Sequence, residues 1–179
     1  MSFISVFDVL GPNMIGPSSS HTAGAARIGF LAQKMIGGSV IRADFTLYGS
    51  FAKTYHGHGT DRALLGGIMG FSTDDMRIRN SFEIAQETGL AYTFTPNEIH
   101  PNTVDISMTN KNGQIMTIRG ESLGGGKVRI VRINDVKVDF TGEYSAVIVV
   151  QQDKPGVVAH ITKVLSDRGV NIAFMRLFR

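Results

Sequence analysis

Two alternating segments, residues 104–108 and 114–118, flank Lys111-Asn112-Gly113, and this commits the middle of the chain to an antiparallel hairpin. Asn-Gly adopts positive φ at low cost, which the tightest hairpin turns require. Downstream, Gly124-Gly125-Gly126 leads into residues 127–133, and Asn134-Asp135 can turn that strand into residues 136–140. The preceding region reads differently. Gly24, Ile28, Leu31 and Met35 recur at helical spacing until Gly37-Gly38, and residues 41–48 then alternate as a half-buried strand. Residues 49–59 read as a loop rich in glycine and histidine. A second helix starts near Thr60-Asp61, carrying Leu64, Leu65, Ile68 and Met69 towards a core. A short third runs from Ser81 to about Glu87 and ends at Gly89. Helices and strands mix without strict βαβ alternation, so the expected class is α+β.

A boundary near Thr141-Gly142-Glu143 divides the chain into expected domains 1–142 and 143–179. In the second, residues 146–150 read as a strand and Asp153-Lys154-Pro155-Gly156 as a turn. Residues 157–168 form a helix with Val158, Ile161 and Leu165 on one face, and residues 170–178 another strand. This is a βαβ unit, and an incomplete one, because one helix cannot cover two sheet faces.

Composition limits the chemistry. The 179 residues hold no cysteine, which excludes disulfides, thiol catalysis and Cys-ligated metal within the chain. A formal charge of +3, scattered along the sequence, argues against a nucleic-acid partner. No apolar run approaches membrane-spanning length and no signal pattern follows Met1, so the expected location is cytoplasmic. Phosphate-loop, nucleophile-elbow and His-Glu-x-x-His motifs are absent.

The densest chemistry lies in Gly16-Pro17-Ser18-Ser19-Ser20-His21-Thr22-Ala23-Gly24, directly ahead of the first helix. Hydroxyls and unpaired N–H groups at a helix start suit a small anionic ligand such as a carboxylate. A single serine there would be a helix cap, but Ser18, Ser19, Ser20, His21 and Thr22 together exceed what capping needs. A second histidine loop, Gly57-His58-Gly59-Thr60-Asp61, stands ahead of the second helix. The positive end of a helix disfavours an imidazolium, and neutral imidazole is the form a general base requires. Asp61 could orient an imidazole, bind a substrate ammonium or stabilise the first helical turn. His100 precedes Pro101-Asn102 at the start of a strand, whereas His160, mid-helix, reads as structural. The His/His/Asp set matches no standard zinc spacing. Gly124-Gly125-Gly126 reads first as a flexible turn, which with Ser122 could also cradle an anion; Asp74-Asp75 reads as a solvated turn, and Lys127, Arg129 and Arg132 as an exposed strand face.

Gly-Pro-Ser-Ser-Ser-His-Thr at 16–22, Gly-His-Gly-Thr-Asp at 57–61 and His100-Pro101-Asn102 together resemble the beta chain of bacterial iron–sulfur L-serine dehydratases. The resemblance covers the whole chain. From residue 146 onward the sequence resembles the first half of an ACT domain, with Asp153-Lys154-Pro155-Gly156 and Gly169-Val170-Asn171-Ile172 at its signature positions. A complete ACT domain runs βαββαβ, and this chain stops after βαβ. The segment around 124–126 resembles the allosteric substrate-binding domain of some phosphoglycerate dehydrogenases.

The resemblance implies an L-serine ammonia-lyase subunit in amino-acid catabolism that feeds gluconeogenesis, inactive alone. L-serine would lose water to give aminoacrylate, which hydrolyses to pyruvate and ammonia. A [4Fe–4S] cluster on a partner alpha chain would act as Lewis acid, with no pyridoxal phosphate and no metal ligand in this chain. His58 aligns with the base that removes the Cα proton, and His21 and His100 with further active-site histidines. Ser18, Ser19, Ser20 and Thr22 align with the part that holds the substrate, which Asp61 would join through the ammonium contact considered above, and Asp153, Gly156 and Asn171 with an effector site. His56 has no counterpart. Association with the alpha chain and with a second copy, in a larger hetero-oligomer, is expected too. The alternative is a non-catalytic regulatory module for a small amino acid or anion, favoured by the ACT half and the glycine loop. A stand-alone Ser/His hydrolase lacks its nucleophile motif.

Overall fold

In the computed structural model, which describes residues 18–98, 102–149 and 151–177, the chain divides into two units between Tyr144 and Ser145. The first contains α1 (Ala23–Ile36), β1 (Val40–Tyr48), α2 (Ser50–Thr54), α3 (Thr60–Ile68), a 3₁₀ turn (Met76–Asn80) and α4 (Ser81–Thr88). Five further strands follow: β2 (Ala91–Asn97), β3 (Thr103–Asn110), β4 (Ile115–Gly124), β5 (Lys127–Ile133) and β6 (Val136–Phe140). They form one six-stranded sheet in the order β2-β1-β3-β4-β5-β6. Only the β1–β2 pair is parallel; the other neighbours are antiparallel. The fold is α+β.

Alternation decides which sheet face is covered. Ala43, Phe45 and Leu47 of β1, Val104, Ile106 and Met108 of β3, and Ile118, Val128 and Ile130 of β4 and β5 are buried. Ile28 of α1 reaches this face, where a Cβ on Gly120 would stand 2.5 Å from its Cγ2. Alanines and glycines along α1 let α3 pack closely, with Leu64, Leu65 and Ile68 fully buried. Each large aliphatic side chain buried in this way stabilises the fold by about 1.5–3 kcal/mol. Asn110, 1% exposed, ties the end of α1 to the β3–β4 turn. Its amide nitrogen donates to the Gly37 carbonyl and its oxygen accepts from the N–H groups of Asn112 and Gln114, each at 3.0 Å.

The structure corrects several expectations. Strand β2 is not among the expected elements, although Tyr92 and Phe94 alternate; it lies at the sheet edge, where Pro96 removes no needed ladder donor. Residues 50–54, expected as loop, form α2. Ile41, expected on the buried face, is exposed, because the register of β1 against β3 shifts between Val40 and Arg42. Lys127 is exposed, but Arg129 and Arg132 are half-buried and paired: Arg129 with Glu121 at 2.8 Å, and Arg132 with Asp105 at 3.0 Å. Arg119 also holds Asp105, at 2.6 Å, and Tyr48 donates to it. Burial pushes the Asp105 pKa up, but the Arg119 hydrogen bond and charge prevail and hold it below the ordinary carboxylate value.

The second unit contains α5 (Val157–Asp167), with Val157, Ile161, Val164 and Leu165 half-buried and Val158 exposed. No strand forms among the described residues of 145–177, contrary to the strands expected at 146–150 and 170–178, whose Val150 and Phe178 lie outside the described residues. In a split βαβ the two strands are not neighbours, so neither has a ladder partner by itself.

Candidate active site

Gly49 creates the site by ending β1 abruptly. Its φ of 57° and ψ of −127° suit glycine alone, and they turn the chain directly into α2 with Ser50 first. Asn102, at φ 44°, opens β3 on the neighbouring strand. The loop ahead of α1 drops onto this pair, held by the Ser122 hydroxyl, which donates to the Ser20 carbonyl at 2.9 Å.

His21 is 8% exposed and fully engaged. Its Nδ1 lies 3.0 Å from Ser18 Oγ and 3.1 Å from Ser20 Oγ, and its Nε2 lies 3.0 Å from Ser50 Oγ. Ser50 in turn donates to Asn102 Oδ1. Phe51 closes one side, its ring centroid 5.3 Å from that of His21. Burial first, and then the neighbouring His58, hold the His21 pKa below its ordinary 6.5, while a backbone hydrogen bond at Ser50 acts in the opposite direction.

His58 meets His21 edge to face, with centroids 4.8 Å apart. Thr22 Oγ1 donates to the His58 carbonyl at 3.3 Å, which joins the two loops directly. The Nδ1 of His58 is buried and has no hydrogen-bond partner among the described residues; the same holds for Thr60 Oγ1. A buried imidazole nitrogen left this way is the kind of exception that marks functional sites. The loop around it is fixed by backbone bonds, His58 N–H to Thr54 O and Thr60 N–H to Tyr55 O, both at 2.9 Å.

The structure thus brings Ser18, Ser20, His21, Thr22 and His58 together. Ser19 lies in the same turn, its carbonyl accepting from the Gly24 N–H at 3.0 Å. Asp61 does orient an imidazole, but that of His56: Oδ2 lies 2.8 Å from His56 Nδ1, and Oδ1 accepts from the Arg62 N–H. The His56 side chain is 76% exposed and that of Asp61 only 3%. Gly16, Pro17 and His100 lie outside the described residues. Ser122 does not cradle an anion with Gly124–Gly126, since its hydroxyl is committed to the Ser20 carbonyl. Asp153, Gly156 and Asn171 lie at exposed positions in the second unit, with Gly156 capping α5 at φ 88°. His160 is exposed on α5. Sequence reading missed Ser50 and Asn102 as members of the site; the Gly-Ser step after a strand and the Pro-Asn pair were their only local signals. Among the described residues no group of three or more His, Asp or Glu is placed to hold a metal ion.

Comparison with known proteins bears on these loops. A family model described as serine dehydratase beta chain matches residues 5–92, and one described as ACT domain matches residues 145–179. The chain is 44% identical to the L-serine dehydratase beta chain of Peptoniphilus asaccharolyticus, over 96% of this chain and 79% of that protein. It is 42% identical to the probable L-serine dehydratase beta chain of Bacillus subtilis (strain 168), over 100% of this chain and 82% of that one. It is also 25% identical to a D-3-phosphoglycerate dehydrogenase of Archaeoglobus fulgidus, over 84% of this chain and 29% of that protein.

Proposed function

Because the chain belongs to the family of L-serine dehydratase beta chains, we propose that its two histidine loops form one wall of a site shared with an alpha chain. There L-serine undergoes β-elimination to pyruvate and ammonia. The observation that carries the reading is the pairing of His58, whose Nδ1 is buried without a partner among the described residues, with a hydroxyl loop wired to His21.

In this reading the Ser18–Thr22 loop holds the substrate and His58 removes the Cα proton. The electron pair of the C–H bond becomes the Cα–Cβ double bond as the Cβ–O bond breaks, and the resulting aminoacrylate hydrolyses. A base in this position contributes roughly 10²- to 10⁴-fold in rate. His21, kept neutral and fully hydrogen-bonded, organises the loop and does not compete for that proton. His56, exposed and tied to Asp61, holds the ends of the loop that carries His58.

A [4Fe–4S] cluster on the alpha chain would supply a Lewis acid for the departing hydroxyl. This chain's own residues do not fit such a cluster, with no cysteine and no three-ligand group among the described residues. What they do fit is substrate holding and proton removal. The test is reconstitution with an alpha chain under anaerobic conditions. Pyruvate should form from L-serine only with both chains present; pyruvate from this chain alone would contradict the shared site.

A further inference from the structure

The hydroxyls around His21 form a hydrogen-bond chain with a direction. Ser50 Oγ donates its only proton to Asn102 Oδ1. It can then meet a ring nitrogen only as an acceptor, so the His21 nitrogen facing it, Nε2 at 3.0 Å, carries the hydrogen. A neutral ring has one N–H, which leaves Nδ1 with a lone pair. Nδ1 lies 3.0 and 3.1 Å from the hydroxyls of Ser18 and Ser20, whose oxygens are 3.1 Å apart. One hydroxyl proton therefore goes to Nδ1 and the other to the neighbouring hydroxyl oxygen. Both protons are used inside the triangle, and the pair offers only oxygen lone pairs outward.

We propose that Ser18 and Ser20 receive the ammonium group of the amino-acid substrate, and that Ser50 is the positioning residue that sets this polarity through the His21 ring. The inference rests on the substrate-holding reading of the loop and names the end of the substrate that it holds. Lone pairs suit a cationic N–H donor, whereas a carboxylate would meet them oxygen against oxygen. If the chain ran the other way, with Asn102 donating to Ser50 and Ser50 to Nε2, the same serines would present O–H donors and select a carboxylate. The Ser50–Asn102 pair makes that choice without touching the substrate.

Ring ¹⁵N spectra of the chain report the His21 tautomer without turnover, so they stand independently of the assignment of His58 as base. A protonated Nε2 and a bare Nδ1 are expected; the reverse overturns the proposal. Asn102→Asp can only accept, and should keep this tautomer. Ser50→Ala should lose it to a mixture, and Ser50→Thr, which retains the hydroxyl, should restore it and so separate polarity from folding. An unchanged tautomer in folded Ser50→Ala overturns the positioning role. In the complex with the alpha chain, competition against L-serine separates the two substrate ends. Ethanolamine keeps the ammonium without a carboxylate, and glycerate keeps the carboxylate without an ammonium. The Ser18→Ala/Ser20→Ala variant should weaken ethanolamine about tenfold, as for losing a hydrogen bond to a charged group, and leave glycerate unchanged. A loss confined to glycerate overturns the proposal.

Discussion

The rings of His21 and His58 meet at 4.8 Å and 88°, although they enter from the starts of two different helices, α1 and α3. Their meeting depends on how closely those helices pack and on what holds each loop down.

Ser122 anchors the hydroxyl loop from strand β4, donating to the Ser20 carbonyl at 2.9 Å. Removing one such bond costs about 1 kcal/mol. Ser122→Ala should therefore raise KM for L-serine about fivefold in the reconstituted complex, with kcat changed less. Steady-state kinetics on the complex measures both. Gly24→Ala should act alike, since its Cβ would stand 2.3 Å from Ser122 Oγ.

Helix packing controls the distance between the two loops. A Cβ on Gly67 of α3 would lie 2.3 Å from the Ala26 carbonyl oxygen and 2.7 Å from the Phe30 nitrogen of α1. Neither backbone atom can move without shifting its helix. Gly67→Ala should destabilise the protein by about 1–3 kcal/mol or more, read as a lowered thermal midpoint.

Stability should also depend on pH through His21, whose pKa is depressed by burial and by His58. The unfolded chain binds the proton more readily, so the neutral ring's contribution is fully present above the ordinary value of 6.5 and is lost as pH falls through 6.5 towards the folded value. Asp44, Asp75 and Asp105, held below their usual 3.8, act only in a more acidic range. Urea midpoints should therefore fall between about pH 7.5 and pH 5.5. His21→Gln should flatten that slope.

His56 supports a buried carboxylate. Without its Nδ1, Asp61 loses the partner 2.8 Å from Oδ2 in a place where its side chain is only 3% exposed. His56→Ala should cost about 1–3 kcal/mol of stability, and His56→Gln, which retains a donor, should cost less. Equilibrium denaturation distinguishes the two. Turnover of the folded His56→Ala complex should fall far less than that of His58→Ala, because His56 supports the loop that carries the proposed base and is not itself that base.

The helices and most strands were legible because their periodicity is local: residues 104–118 declare a hairpin, and Leu64, Leu65 and Ile68 a buried helix face. Strand β2 was less visible. It carries Pro96, and its parallel pairing with β1 is a long-range fact. The hydroxyl loop and the Gly57–Asp61 loop were readable because unusual residues cluster there. Ser50 was not, and Asn102 stood out only as the last residue of the His100-Pro101-Asn102 motif, since it takes Gly49 and the β1–β3 pairing to set Ser50 against His21 and Asn102 against Ser50. Asp61 shows the same limit. Its tie to an imidazole was among the options, but only the fold decides between His56 and His58.

The proposed division of labour between the two histidines is tested most directly by pyruvate formation from L-serine in the anaerobic complex carrying His58→Ala. Loss of roughly 10²- to 10⁴-fold in kcat is expected, with an unchanged thermal midpoint and little change in KM. Undiminished pyruvate formation by the folded variant would contradict His58 as the base.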